Sequence, residues 1–283
     1  MLIPSVRRKL RKAAIIGEQC AMPSNSIHSG APDAPEVGLF VTCLVDMIRP
    51  RIGFAAIDLL HRAGCKVVVP RAQTCCGQPA FNSGDRGHAR VIAKTVVKTF
   101  EKFDYVVAPS GSCAATIKVH YPELFAEDAG WRKRAEDLAA RTFELLSFLV
   151  DVRSFRPEDI SLRASATYHD SCSGLRELGV KAQPRLLLEA IEGLNLIPLP
   201  GHDVCCGFGG TFCLKYPSIS NAIVDDKARA VEGVKADLLL GGDLGCLMNM
   251  AGKLHRRGAP ARVFHAAEVI AGMADGPAIG EEA

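Results

Sequence analysis

Residues 75–84 read CCGQPAFNSG and residues 205–212 read CCGFGGTF. Thirty-one residues separate Cys43 from the first Cys-Cys pair, and 36 separate that pair from Cys113. In the second half, 32 residues separate Cys172 from Cys205-Cys206, and 39 separate that pair from Cys246. The matching cysteines are offset by 129, 130 and 133 residues. Spacing this regular marks an internal duplication rather than a scatter of thiols.

Working outward from the cysteines, apolar runs alternate with segments of helical spacing. Strands are predicted at 37–42, 66–70 and 105–109, with helices at 51–62, 87–103 and 133–150. After a proline-containing link at 156–159 the pattern restarts. Strands then fall at 164–168, 195–200, 237–241 and 262–265, and helices at 183–192, 219–234 and 267–273. Strands alternating with helices predict parallel sheets covered on both faces. The expected fold is α/β, with two pseudo-two-fold-related repeats at 37–162 and 163–283. Residues 1–36 start basic, turn to Ser, Gly and Pro, and keep no period, so they read as a disordered tail. The carboxyl ends of parallel strands lie on one edge, where ligands bind. Each quartet of cysteines follows strands or their exit loops and is expected to gather there. Helix N-termini at that edge favour thiolate over thiol.

Composition narrows the function. The 283 residues are 48% hydrophobic and 23% charged, which excludes a disordered or fibrous chain. Thirty-four Lys and Arg against 31 Asp and Glu leave a net charge of +3, too little to imply nucleic-acid binding. No apolar run reaches the roughly 18 residues of a membrane span. Without a signal peptide in front of them, eleven cysteines are expected to be reduced cytosolic thiols engaged in metal or redox work.

Soft sulfur donors select zinc, copper(I) or iron–sulfur clusters. The chain has no C-x-x-C, the usual pairing of zinc ligands and of thioredoxin-like dithiols. Adjacent cysteines bind one tetrahedral ion only with strain but can reach different irons of a cluster, so the pairs favour a multi-iron site over zinc or reactive thiols. Cys213 reads as an extra ligand, a resolving thiol or a buried neutral one. His169 and Asp170 are candidates for proton relay or for hydrogen bonding to a cluster sulfur, with strand-end capping as the plain alternative. Cys65 and His265 read as core residues, Cys20 as incidental, and Asp243 as a support for the loop before Cys246. The chain carries neither a G-x-G-x-x-G fingerprint after a strand nor a ferredoxin C-x-x-C-x-x-C run, so electrons must be exchanged with another polypeptide.

The stretches LFVTCLVD (39–46), CCGQPAFNSG (75–84), PSGSC (109–113), HDSC (169–172), CCGFGGTF (205–212) and DLGCLMN (243–249) resemble the tandem cysteine-rich (CCG) domain family. That family is shared with the B subunit of heterodisulfide reductase and the glycolate oxidase iron–sulfur subunit, and the likeness is strongest to its lactate-utilization branch. The resemblance implies an iron–sulfur oxidoreductase subunit of a cytoplasmic complex that oxidises L-lactate to pyruvate. The implied partners are a ferredoxin-type iron–sulfur subunit and a third lactate-utilization subunit. Carried over residue by residue, one [4Fe–4S] site would use Cys43, Cys75, Cys76 and Cys113, and the other Cys172, Cys205, Cys206 and Cys246, with zinc as the alternative occupant of one site. Thr116 and Asn249 stand where the family pattern ends each repeat in a further cysteine. Five-thiolate ligation is thereby excluded, and four per site suffice for a four-iron cluster. A structural zinc-binding subunit and a heterodisulfide-reductase-like thiol–disulfide reductase are the competing readings.

Overall fold

The computed structural model describes residues 34–281. Glu36–Leu39 (β1), Lys66–Val68 (β2), Tyr105–Ala108 (β3) and Thr142–Glu144 (β4) form a parallel sheet in the order β2-β1-β3-β4. Ser161–His169 (β5), Glu192–Leu196 (β6), Leu238–Gly241 (β7) and Arg262–His265 (β8) form a second, in the order β6-β5-β7-β8. The two orders are one topology used twice, so the duplication in sequence is a duplication in fold. In each sheet the winding reverses between the two central strands, and the carboxyl edge at that reversal is where an open α/β sheet binds ligands.

The first repeat carries helices Cys43–Ile48 (α1), Pro50–Arg62 (α2), Arg86–Phe100 (α3), Gly111–Ala115 (α4) and Ala129–Ala140 (α5). The second carries Cys172–Leu178 (α6), Ala182–Glu189 (α7), Pro217–Val234 (α8), Leu244–Arg257 (α9) and Ala266–Ile270 (α10). Two expectations are corrected. The helix predicted over 133–150 ends at Ala140, and Thr142–Glu144 instead becomes the edge strand β4, paired to Val106–Ala108. Hydrogen-bonding partners offered by β3 override the local helical spacing there. The strand predicted at 195–200 lies at Glu192–Leu196, because Pro198 and Pro200 have no N–H to give a ladder. The tail expected over 1–36 lies outside the described residues up to position 33, and Glu36 already opens β1.

One continuous apolar core draws on both repeats, joining Leu39, Val107 and Leu145 to Tyr168, Leu239 and Phe264. A second cluster, around Phe40, Phe100, Phe103 and Tyr121, belongs to the first repeat. The repeats also meet where α4 packs on α6. A Cβ on Gly111 would lie 2.9 Å from the Gly174 Cα, so only glycine lets these backbones approach so closely. Among the described residues no helix is long and apolar enough to cross a membrane.

Candidate metal centres

Four of the eight motif cysteines sit at helix starts. Cys43 and Cys172 are the first residues of α1 and α6, directly after β1 and β5. Cys113 and Cys246 are the third residues of α4 and α9, which follow β3 and β7. The Cys-Cys pairs lie in the longer loops beyond β2 and β6, seven and nine residues past the strand ends. Each pair is followed by a glycine with left-handed backbone, Gly77 at φ +85° and Gly207 at φ +83°. That turn aims the glycine N–H back at the first sulfur of the pair, 3.4 Å from Cys75 Sγ and 3.3 Å from Cys205 Sγ.

The thiols of each repeat converge. Cys43 Sγ lies 3.8 Å from Cys75 Sγ, and Cys76 Sγ lies 3.4 Å from Cys113 Sγ. In the second repeat Cys172 contacts Cys205, Cys205 contacts Cys206, and Cys206 contacts Cys246. All eight are free thiols. Hydrogen bonds from Cys43 and Cys76, then the Gly77 N–H, hold Cys75 down to about 3. Cys172, Cys206 and the Gly207 N–H hold Cys205 down to about 2. The donating thiols Cys43 and Cys172 are pushed up, first by those same hydrogen bonds and then by burial. The hydrogen bonds of each quartet thus converge on one sulfur, Cys75 or Cys205, and favour its thiolate, the form that binds metal.

The walls are tied across elements. Tyr121 donates its hydroxyl to the Cys76 carbonyl at 2.7 Å, and Asn249 donates its amide to the Cys206 carbonyl at 2.8 Å. Gln73 bridges the exit of β1 to the loop of the first pair, accepting from the Val41 N–H at 2.9 Å. Ser110 and Asp243 cap α4 and α9 and also bond each other across the repeats at 3.1 Å. Asp243 further accepts from the Ser112 and Gly245 N–H groups, so it holds the Cys113 loop as well as its own. Thr42, just before Cys43, has φ +68° and ψ +148°, a region that costs a non-glycine residue roughly 1–3 kcal/mol.

A cavity of about 350 Å³ opens beside the first quartet, bordered by Cys43, Cys75, Cys76 and Cys113. Its far wall comes from the second repeat: Phe208, Thr211, Cys213 and Leu214, with Asp243 and Leu244. Cys213 thus borders the first quartet's cavity. Its thiol donates to the Gly210 carbonyl at 3.4 Å. Paired soft donors, hydrogen bonds that favour the thiolate at Cys75 and Cys205, and backbone N–H groups on sulfur suit a metal or iron–sulfur group.

The other candidates divide. Asp170 is buried and clamped by Arg185 through two bonds of 2.8–2.9 Å and by His202 at 2.6 Å, so its carboxylate serves that network rather than the thiols. His169, on the last position of β5, points the other way. It is 1% exposed, and one ring nitrogen lies within 4.8 Å of both Cys206 and Cys246 Sγ. Burial, with nearby Lys227 second, pushes its imidazole down to about 4. His265 caps α10 in a capping box with Glu268, and Cys65 packs in the core. Cys20 lies outside the described residues.

The sequence profile of the CCG cysteine-rich domain family matches residues 37–118 and again 166–251. The chain belongs to the CCG cysteine-rich domain family. Both CCG matches bracket one quartet each. Among curated relatives, "Lactate utilization protein A" of Geobacillus kaustophilus is 51% identical over 83% of this chain and 98% of its own length. The protein of the same name from Anoxybacillus flavithermus is 49% identical over the same shares. "Lactate utilization protein A 2" of Bacillus cereus is 44% identical. Among solved structures, a hypothetical protein from Helicobacter pylori superposes with a TM-score of 0.55 at 11% identity. That match takes in 98% of this chain and 54% of the other, and it shows the fold alone.

Proposed function

We propose that this chain is an iron–sulfur redox subunit of a complex that oxidises L-lactate to pyruvate. The observation that carries the reading is the convergence of four thiols at the winding reversal of each sheet, in a chain about half identical to proteins named for lactate utilization. Cys43, Cys75, Cys76 and Cys113 would hold one group, and Cys172, Cys205, Cys206 and Cys246 the other. When bound, an iron–sulfur cluster supplies one-electron transfer. The chain's own residues prepare for it: Gly77 and Gly207 stabilise a thiolate, Tyr121 and Asn249 fix the loop carbonyls, and Asp243 braces both helix starts.

Lactate itself is assigned to a partner. No Lys, Arg or His borders the cavity beside the first quartet, so it offers no cationic side chain to pair with a carboxylate. Leu214, Tyr216 and Ile219 expose large apolar side chains just past the second pair, which supports docking of a partner such as a ferredoxin-type subunit beside the centres. One observation favours zinc as a second reading. Two thiolates on one tetrahedral zinc at about 2.3 Å stand about 3.8 Å apart, which is the separation of Cys43 from Cys75.

Metal analysis of anaerobically purified protein decides between them. Iron and sulfide in equal amount, lowered by Cys75→Ser and by Cys205→Ser together with complex-dependent lactate oxidation, are the expected result. Zinc without sulfide would replace the redox reading, and full iron and activity in both variants would overturn the ligand assignment.

A further inference from the structure

The two centres are built at equivalent places but are not lined alike. His169 stands three residues before Cys172, and the residue three before Cys43 is Phe40. Phe40 is fully buried against Phe100, with ring centroids 5.5 Å apart, and needs no polar partner. His169 is equally buried; the His202 carbonyl is its one nearby backbone acceptor, and no ring nitrogen meets it in full hydrogen-bond geometry. An orphaned imidazole in the interior is costly unless something absent from the protein's own atoms satisfies it. Beside the His202 carbonyl, Lys227 and Asp170, the sulfurs of Cys206 and Cys246 lie within 4.8 Å of one of its ring nitrogens.

The helices behind the loops show the same asymmetry. The buried positions of α3 are Ala89, Ala93, Val96, Val97 and Phe100, and those of α8 are Ser220, Val224, Lys227, Ala228 and Val231, at identical spacings. Lys227 therefore occupies the place of Val96, 3% exposed, with its ammonium on the Gly201 carbonyl. Hydrocarbon lines the first site where imidazole and ammonium line the second. Asn249 meanwhile spends its amide on the Cys206 carbonyl and offers the second site no fifth thiolate.

We propose that His169 is a ligand of the metal centre in the second repeat, so that this centre has a mixed imidazole and thiolate donor set while the first has thiolates only. The proposal rests on the reading that the quartets hold metal, and it concerns the borderline ions that accept both donor types, iron in a cluster or zinc.

The test uses the full chain purified anaerobically with natural and with ¹⁵N-labelled histidine, as wild type, His169→Phe and His169→Gln. If iron is found, pulsed electron paramagnetic resonance of the reduced protein is expected to show the strong nitrogen coupling of a bound imidazole. That coupling should change on histidine labelling and vanish in both variants. If zinc is found, X-ray absorption at the zinc edge is expected to show a nitrogen neighbour, lost in both variants. The wild-type spectrum is decisive even where a variant fails to fold. Sulfur-only ligation, a weak coupling of the size a hydrogen bond to sulfide gives, or a coupling that survives His169→Phe overturns the proposal while leaving the metal-centre reading intact. Wild-type protein without iron or zinc ends both.

Discussion

Gly207 is more tightly constrained than Gly77, although both hold left-handed backbone after a cysteine pair. A Cβ on Gly207 would meet the Ser220 carbonyl oxygen at 2.7 Å, whereas one on Gly77 meets only the Ile92 side chain at 3.3 Å. Both alanine substitutions incur the cost of a positive φ, about 1 kcal/mol, but Gly207→Ala must also move backbone. Thermal melts are expected to show the larger loss for Gly207→Ala, and equal losses would mean the loop at 207 yields. Glu144 gives a pH signature. Its Oε2 caps the Ser147 N–H at 2.9 Å, its Oε1 has no partner, and burial pushes the carboxyl from 4.5 to about 7. The folded state holds this proton more tightly than the unfolded state. Its contribution is therefore fully present below about pH 4.5 and is lost as pH rises toward 7. Glu144→Gln keeps an acceptor for Ser147 and does not titrate. Wild type is expected to fall behind it between pH 5 and 8 by at most about 3 kcal/mol, and parallel stability profiles would refute the assignment. Much of the site was legible at this scale. The duplication names both quartets, and laying His169 over Phe40 exposes the odd residue. Cys213 was not legible, because which cavity a loop thiol borders depends on how the repeats pack, and no spacing encodes that.

Among the elements, the paired starts of α4 and α9 carry the most cross-linking. Asp243 accepts from Ser110, Ser112 and Gly245, two of them in the other repeat. Asp243→Ala leaves those donors unsatisfied in a buried place, at about 1–3 kcal/mol. It is expected to loosen metal in both repeats, while Ser110→Ala, which removes the bonds to the Cys113 N–H, Ser112 and Asp243, acts on the Cys113 loop. Metal loss confined to the second repeat after Asp243→Ala would show the brace to be one-sided. Elements with long apolar or β-branched runs, such as β1, β3 and β7, were readable from sequence. The three residues of β4 were not, since 133–150 keeps a helical spacing and only the free edge of β3 turns Thr142–Glu144 into a strand. The fourth strand of the second sheet, Arg262–His265, was readable because Gly258 and Pro260 isolate it from α9.

At the scale of the molecule, the two repeats share one core and do not behave as beads on a string. Urea unfolding followed by circular dichroism and by tryptophan fluorescence is therefore expected to give a single coincident transition, and two separated transitions would contradict the shared core. The wall of the first cavity has a consequence in time. All four first-repeat cysteines have been synthesised once the ribosome passes Cys113, but the loop that closes over them, Phe208 to Leu214, is about a hundred residues further on. At a synthesis rate of about 5–20 residues per second, the first site stays unwalled on the nascent chain for roughly 5–20 s. A group entering the first quartet on the nascent chain would find that wall absent, whereas Cys246, which completes the second quartet, follows the wall in the sequence.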